Sequence, residues 1–253
     1  MILGSGRSGT SLAAGVLRNS GYFMGHRLNP ANITNPKGQF EDYEINALNE
    51  ALLAQVTPRR PDNFLGTILY RTRPKDGQRW LARIPLDISF HVTADIEQRI
   101  KSFVQNEPFC FKDPRFSYTL PAWSPFLKNT VLICVFRHPA STVSSILKQK
   151  KTVPHLKDFS IRADRALEVW ELMYSHILNN HLRKGGDWVF LHYNQFFENA
   201  AYDRLSRTLG AEVDRDFADS SLNRSVPTKK VSGKALSIYI RLCEMAEFSD
   251  QHS

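Results

Sequence analysis

The sequence predicts an α/β fold of three layers around a mostly parallel central sheet, on three observations. Four short apolar runs, MILG and residues 109–112, 130–136 and 188–193, have strand length, and longer segments of helical period separate them. Strands joined through helices must run parallel, with helices packed on both faces. Finally, the first run enters a glycine-rich turn and two others end in Lys112 and Arg137, the layout of an α/β sheet that binds ligands beyond its strand C-termini.

In chain order, MILG is a short buried strand, and residues 10–19 form a helix that turns Ala13, Ala14, Val16 and Leu17 inward. Residues 42–55 are a second helix, with Ile45, Leu48 and Leu52 at helical spacing. The stretch 57–80 is rich in Pro, Gly and Arg without a steady period, which predicts a long loop or lid. Helix 94–105, strand 109–112, helix 118–127, strand 130–136, helix 140–150 and a long helix 161–183 follow. Strand 188–193, helix 202–209, a basic turn-rich segment 223–234 and a terminal helix complete the chain. No repeat, low-complexity tract or linker divides the 253 residues, so one domain over 1–253 is expected.

Composition narrows the function classes. The longest apolar run, Val131–Phe136, has six residues, far below the roughly 20 of a membrane span, and none is expected. No charged-then-apolar leader opens the chain, so no signal peptide is expected. The chain starts abruptly inside a strand, as a trimmed one would. Cys110, Cys134 and Cys243 make no disulfide framework and are read as buried thiols of a reducing, cytoplasmic compartment. The net charge of +8 favours an anionic ligand or partner. That charge is dispersed in clusters, without a dense stripe or interleaved aromatics, so no nucleic acid is expected and most of it reads as solvated surface. No His/Cys cluster has metal-ligand spacing, and no metal is expected.

The opening stretch MILGSGRSGTSL carries the chemistry. Strand, glycine-rich turn and helix are the layout in which successive amides and a helix N-terminus wrap an anion. GSGRSGTS has the P-loop spacing G-x-x-x-x-G-K-[ST], with Thr10 where the lysine should be. An NTPase also needs a strand ending in a magnesium-holding aspartate, whereas TVLICVF ends in Arg137. The loop is shaped for phosphate but lacks the equipment to hydrolyse a triphosphate.

Arg7-Ser8-Gly9-Thr10-Ser11 resembles the 5′-phosphosulfate loop of sulfotransferases that use 3′-phosphoadenosine 5′-phosphosulfate (PAPS). V-F-R-H-P-A-S-T-V-S-S-I-L resembles that family's second signature, a strand ending in Arg with a Ser eight residues on, here Arg137 and Ser145. The resemblance implies a P-loop-like sulfotransferase fold, PAPS as co-substrate and 3′-phosphoadenosine 5′-phosphate (PAP) as product. It implies that Ser5, Gly6, Arg7, Ser8, Gly9, Thr10 and Ser11 hold the 5′-phosphosulfate, and that Arg137 and Ser145 hold the 3′-phosphate. Looser matches run collinear with it. N-P-K-G-Q-F-E-D-Y-E is similar to the segment carrying the catalytic base in bacterial and carbohydrate sulfotransferases, which places Glu41 as base. F-C-F-K-D-P-R-F places Lys112, with Arg7, on the leaving group and sulfonate, and W-V-F-L-H-Y-N-Q places Tyr193 near the adenine.

The sequence departs from the pattern in places. Pro114 stands where cytosolic animal enzymes have the histidine they use as base, Asn194-Gln195 replaces an acidic pair, and 223–234 lacks their G-x-x-G-x-x-K signature. Alternatives stay open at several positions. Asp113 is a second candidate base, Asp42 and Glu44 adjoin Glu41, and Tyr193 reads equally as core. The acceptor is expected to be a small molecule or glycan, shaped by 57–80 with Arg59, Arg60, Arg71, Arg73 and Arg79, by the Glu41 segment and by 223–234, which stands where the family closes a loop over the cofactor. A P-loop nucleotide kinase or NTPase, and a PAP-binding protein without activity, are the competing function classes.

Overall fold

A computed structural model of the protein describes residues 1–222, 231 and 233–249. Strands β1 (Ile2–Leu3), β2 (Val131–Phe136) and β3 (Asp187–His192) form a parallel sheet in that order, with Leu3 opposite Cys134 and Phe136 opposite His192. Residues 109–112 flank β1 on its free side. The Ile2 amide donates to the Phe111 carbonyl at 2.8 Å, and Ile2 bridges Lys112 in parallel. Phe23 bridges Phe109 beyond them. This edge stays at isolated bridges rather than the expected strand, because β1 gives it only two residues to pair with. β1 itself ends early because Gly4, at φ 138°, leaves the extended region.

Nine helices occur among the described residues: α1 (Thr10–Val16), α2 (Tyr43–Ala54), α3 (Phe64–Ile68), α4 (Ala94–Val104), α5 (Phe116–Trp123), α6 (Pro139–Thr152), α7 (Ala163–Ser175), α8 (Asn199–Leu209) and α9 (Lys234–Met245). Strand side chains alternate between two apolar layers. Ile2, Ile133, Val135, Val189 and Leu191 pack with α1 and α8, while Leu3, Cys134, Phe136 and Phe190 pack with α2, α4, α5, α7 and α9. Both sheet faces are therefore covered, which gives the three layers. All three cysteines are buried, and burial pushes the Cys110 thiol up to about 11.

Several boundaries differ from expectation. Helix α1 stops at Val16, and a turn through Gly21 (φ 78°) follows. Helix α5 starts at Phe116 and passes into a 3-10 turn, Ser124–Phe126, whose Pro125 has no amide to continue the α ladder. The rod expected over 161–183 is α7 followed by a π turn (His176–His181) and a 3-10 turn (Leu182–Lys184), ended by Gly185 at φ 82°. The stretch 57–80 is not one irregular loop, since it contains α3 and begins the 3-10 turn Arg79–Leu81. Most of 223–234 lies outside the described residues.

The start of α2 is chemically defined. The Asp42 carboxylate accepts from the amides of Glu44 (2.8 Å) and Ile45 (3.2 Å), and from that of Arg27 (2.7 Å). Asp42→Ala is expected to cost about 1–2 kcal/mol of stability, the usual value of an N-cap, read from the urea midpoint.

Candidate functional site

Because the strands are parallel, their C-terminal ends share one edge, which receives the Gly4–Ser11 turn, Lys112, Arg137 and Tyr193. The turn is fastened from behind. The Gly4 amide donates to Ser117 Oγ on α5 at 3.0 Å, and the Ser5 amide to the Tyr174 hydroxyl on α7 at 3.1 Å. Tyr174 in turn donates to the Val135 carbonyl on β2 at 2.8 Å. The Trp80 ring lies against Gly6, and the Tyr193 ring so close to Gly9 (φ 100°) that an added Cβ would fall 2.6 Å from the tyrosine. Arg7 holds a left-handed backbone at φ 71°, a strained state for a residue with a side chain. Among the described residues the amides of Gly6, Arg7, Thr10 and Ser11 have no protein acceptor.

Arg7 and Arg137, far apart in sequence, come near each other here. Arg7 donates to Ser145 Oγ on α6 (3.1 Å), Asn35 Oδ1 (3.0 Å) and the Thr34 carbonyl (3.2 Å), all of them neutral oxygens. Burial and the neighbouring Arg137 both lower its pKa. Arg137 is itself buried, with its pKa lowered by burial, and its guanidinium lies 4.1 Å over the Tyr193 ring. Arg7, Ser8, Arg137, Ser145 and Tyr193 thus form one cluster, with Ser8 Oγ 3.3 Å from Thr142 on α6.

Beside it stands a second cluster. Lys112 Nζ is ion-paired to Glu41 Oε1 and donates to Ser11 Oγ at 3.3 Å, while Asn46 Nδ2 holds the other Glu41 oxygen at 3.0 Å. Burial pushes the Glu41 carboxyl up, but Lys112 and then Arg115 pull it further down, so it rests below its ordinary value. Ser11 therefore links this pair to the turn. Asp113 has a different environment. It accepts from Asn49 (2.8 Å), the Arg115 amide (2.8 Å) and Arg115 Nη1 (3.0 Å), and it is wholly buried. Asp42 is spent on the α2 cap.

The arginines expected to crowd an acceptor do not act as a group. Arg79 is ion-paired to Glu50 at 2.9 Å, and Glu50 also holds Arg115 at 2.6 Å. Arg60 is buried, with Nε on the Gly66 carbonyl at 2.9 Å and an ion pair to Asp158 at 3.3 Å. Sequence reasoning passed over Tyr174, Ser117, Trp80, Thr34 and Asn35, whose local patterns carry no signal of a site.

Comparison with known proteins follows this geometry. No family model and no curated protein matches the sequence. Among solved structures the chain is similar to "Sulfotransferase Domain from the Curacin Biosynthetic Pathway", with TM-score 0.51 and 15% identity over 98% of this chain and 96% of that one. The fold is the P-loop-like sulfotransferase fold.

Two stability predictions follow from the two clusters. Tyr174→Phe leaves the Ser5 amide and Val135 carbonyl short of a partner, so unfolding should be easier by about 1–3 kcal/mol in urea titration. Ionised Glu41, with its pKa held below 4.5, adds stability that is fully present above that value and is lost as the pH falls through the lower folded value. The stability gap between wild type and Glu41→Gln should therefore shrink between about pH 7 and about pH 3.

Proposed function

We propose that this chain is a PAPS-dependent sulfotransferase that moves a sulfuryl group to a hydroxyl or amine of a small-molecule or glycan acceptor. The carrying observation is the pair Arg7 and Arg137, a half-buried and a buried guanidinium near enough for the second to lower the pKa of the first, beside a turn in which, among the described residues, the Gly6, Arg7, Thr10 and Ser11 amides have no protein acceptor. Holding two like charges near each other is costly, and a bound polyanion offsets that cost. The donor set suits a ligand with two separated anionic groups. The turn amides and Arg7 would take the 5′-phosphosulfate, and Arg137 with Ser145 the 3′-phosphate, through charge-assisted hydrogen bonds of about 1.5–3 kcal/mol each.

PAPS supplies the sulfuryl group and departs as PAP. Glu41 receives the acceptor proton as the acceptor oxygen or nitrogen bonds to sulfur. Lys112 and Arg7 hold the electron pair that the broken sulfur–oxygen bond leaves on the 5′-phosphate. The Glu41–Lys112 ion pair couples the two events. As Lys112 turns toward the departing oxygen, Glu41 loses its nearest cation, and its proton affinity rises when the acceptor proton must leave. No residue here calls for a metal, because side-chain cations carry the charge.

Asp113, locked by Asn49 and Arg115, is the weaker candidate base, and Tyr193 shapes the nucleotide side of the site by packing on Gly9 and Arg137. We read 1–253 as a single domain of the bacterial, carbohydrate-type class, with 57–80 on the acceptor side and a cytoplasmic location. Among the described residues no helix is long and apolar enough to cross a membrane.

Calorimetric titration tests the reading. Wild type should bind PAP in the micromolar range and ATP–magnesium much more weakly, and Arg137→Ala should lose about 10- to 100-fold for PAP. A preference for ATP–magnesium would return the chain to the kinase or NTPase class. Glu41→Gln should bind PAP normally and lose transfer, with the acid limb of the wild-type kcat/KM profile below the ordinary glutamate value of 4.5. PAP binding with no sulfation of any acceptor would instead mark a binding protein.

A further inference from the structure

The stretch 57–80 and the α6–α7 connection form one braced face. Arg60 reaches across to the Asp158 carbonyl at 3.1 Å as well as its carboxylate, the Ser160 amide donates to the Arg71 carbonyl at 2.6 Å, and Gln78 Nε2 donates to the His155 carbonyl at 2.6 Å. The same Arg60 holds the Gly66 carbonyl in the middle of α3, so a buried guanidinium supports this helix from below. What it supports is an apolar tip. Phe64 is 78% exposed, Ile68 one helical turn later 51%, and Leu69 67%. Tyr70 follows, with the Arg73 guanidinium 4.3 Å over its ring.

The charge around this tip is one-sided. Residues 57–79 and 148–162 contain eleven Lys/Arg and three Asp/Glu, which accounts for the chain's whole net charge of +8 and leaves all other residues balanced. Some of these cations are engaged: Arg59 with Asp62, Arg79 with Glu50, and Lys75 with Asp158. Arg71, Arg73, Lys148, Lys150, Lys151 and Lys157 pair with no carboxylate among the described residues. Large exposed apolar side chains inside a basic field have the chemistry of interfacial binding. The apolar groups enter the acyl boundary, and the cations stay with anionic headgroups. Nucleic acid would leave the apolar tip in water.

We propose that this face docks on an anionic phospholipid bilayer, with Phe64, Ile68 and Leu69 inserting and the surrounding Lys and Arg residues lying on the headgroups. The binding does not depend on which reaction the chain carries out. Since 57–80 ends at Trp80, which packs on Gly6, a docked face would set the phosphate turn near a membrane surface.

Flotation with lipid vesicles tests the proposal. Wild type should rise with phosphatidylcholine vesicles containing phosphatidylglycerol, stay behind with phosphatidylcholine alone, and detach as salt is raised. The double variant Phe64→Ser with Leu69→Ser should lose binding on the order of tenfold, and so should Lys150→Glu with Lys151→Glu. Ile240→Ser, which changes an exposed apolar side chain on α9, should float as wild type. Unchanged thermal unfolding would show that each variant is folded. The proposal is overturned if wild type binds neither vesicle, or if the Phe64/Leu69 variant floats as well as wild type. Binding to soluble heparin without vesicle binding would overturn it too, and give the face to a soluble polyanion.

Discussion

One hydroxyl holds the architecture of the site together. Tyr174, wholly buried on α7, accepts from the Ser5 amide and donates to the Val135 carbonyl, so a helix of one layer ties the first turn of the chain to the central strand. With Ser117 on the Gly4 amide, it faces the first two amides of the turn inward. Among the described residues the Gly6, Arg7, Thr10 and Ser11 amides have no protein acceptor, whereas the Ser8 amide closes on the Ser5 carbonyl at 3.1 Å. The strained Arg7 backbone persists because the turn is fixed at both ends, with Tyr193 against Gly9 and Trp80 against Gly6.

Charge is arranged in two contrasting ways around this turn. Asp113, Arg115, Glu50 and Arg79 form a continuous chain, buried as far as Glu50, in which every charge faces its opposite. That chain joins the end of the 109–112 segment to the root of the 57–80 stretch, and it has the character of structure. Arg7 instead hydrogen-bonds neutral oxygens, and Arg137 is near enough to lower its pKa. Paired charges within a protein satisfy each other, whereas a like charge nearby disfavours the charged form of its neighbour. The Glu41–Lys112 pair stands between these cases, satisfied at rest and next to the turn through Ser11.

The sheet and its two covered faces were legible because alternation in Val131–Phe136 and Asp187–His192 survives in the structure as two apolar layers. Element ends were less so. The π and 3-10 turns after α7 keep a helical apolar period, so sequence reads them as more α-helix. The expected strand 109–112 has strand composition, but its pairing length depends on how soon β1 ends at Gly4. The arginines of 57–80 looked alike in sequence and divide in the structure, Arg60 and Arg79 being consumed by Asp158 and Glu50.

By itself the sequence determined the layer order, the glycine-rich turn and the placing of Arg137 at a strand end, since all of these follow from local period and spacing. Only the tertiary structure decided which charges pair. It closed Asp113 onto Arg115, joined Glu41 to Lys112, and set Arg7 against Ser145 on α6. These contacts span from two to more than a hundred residues of chain, and their energies depend on distance and burial, which no local pattern encodes.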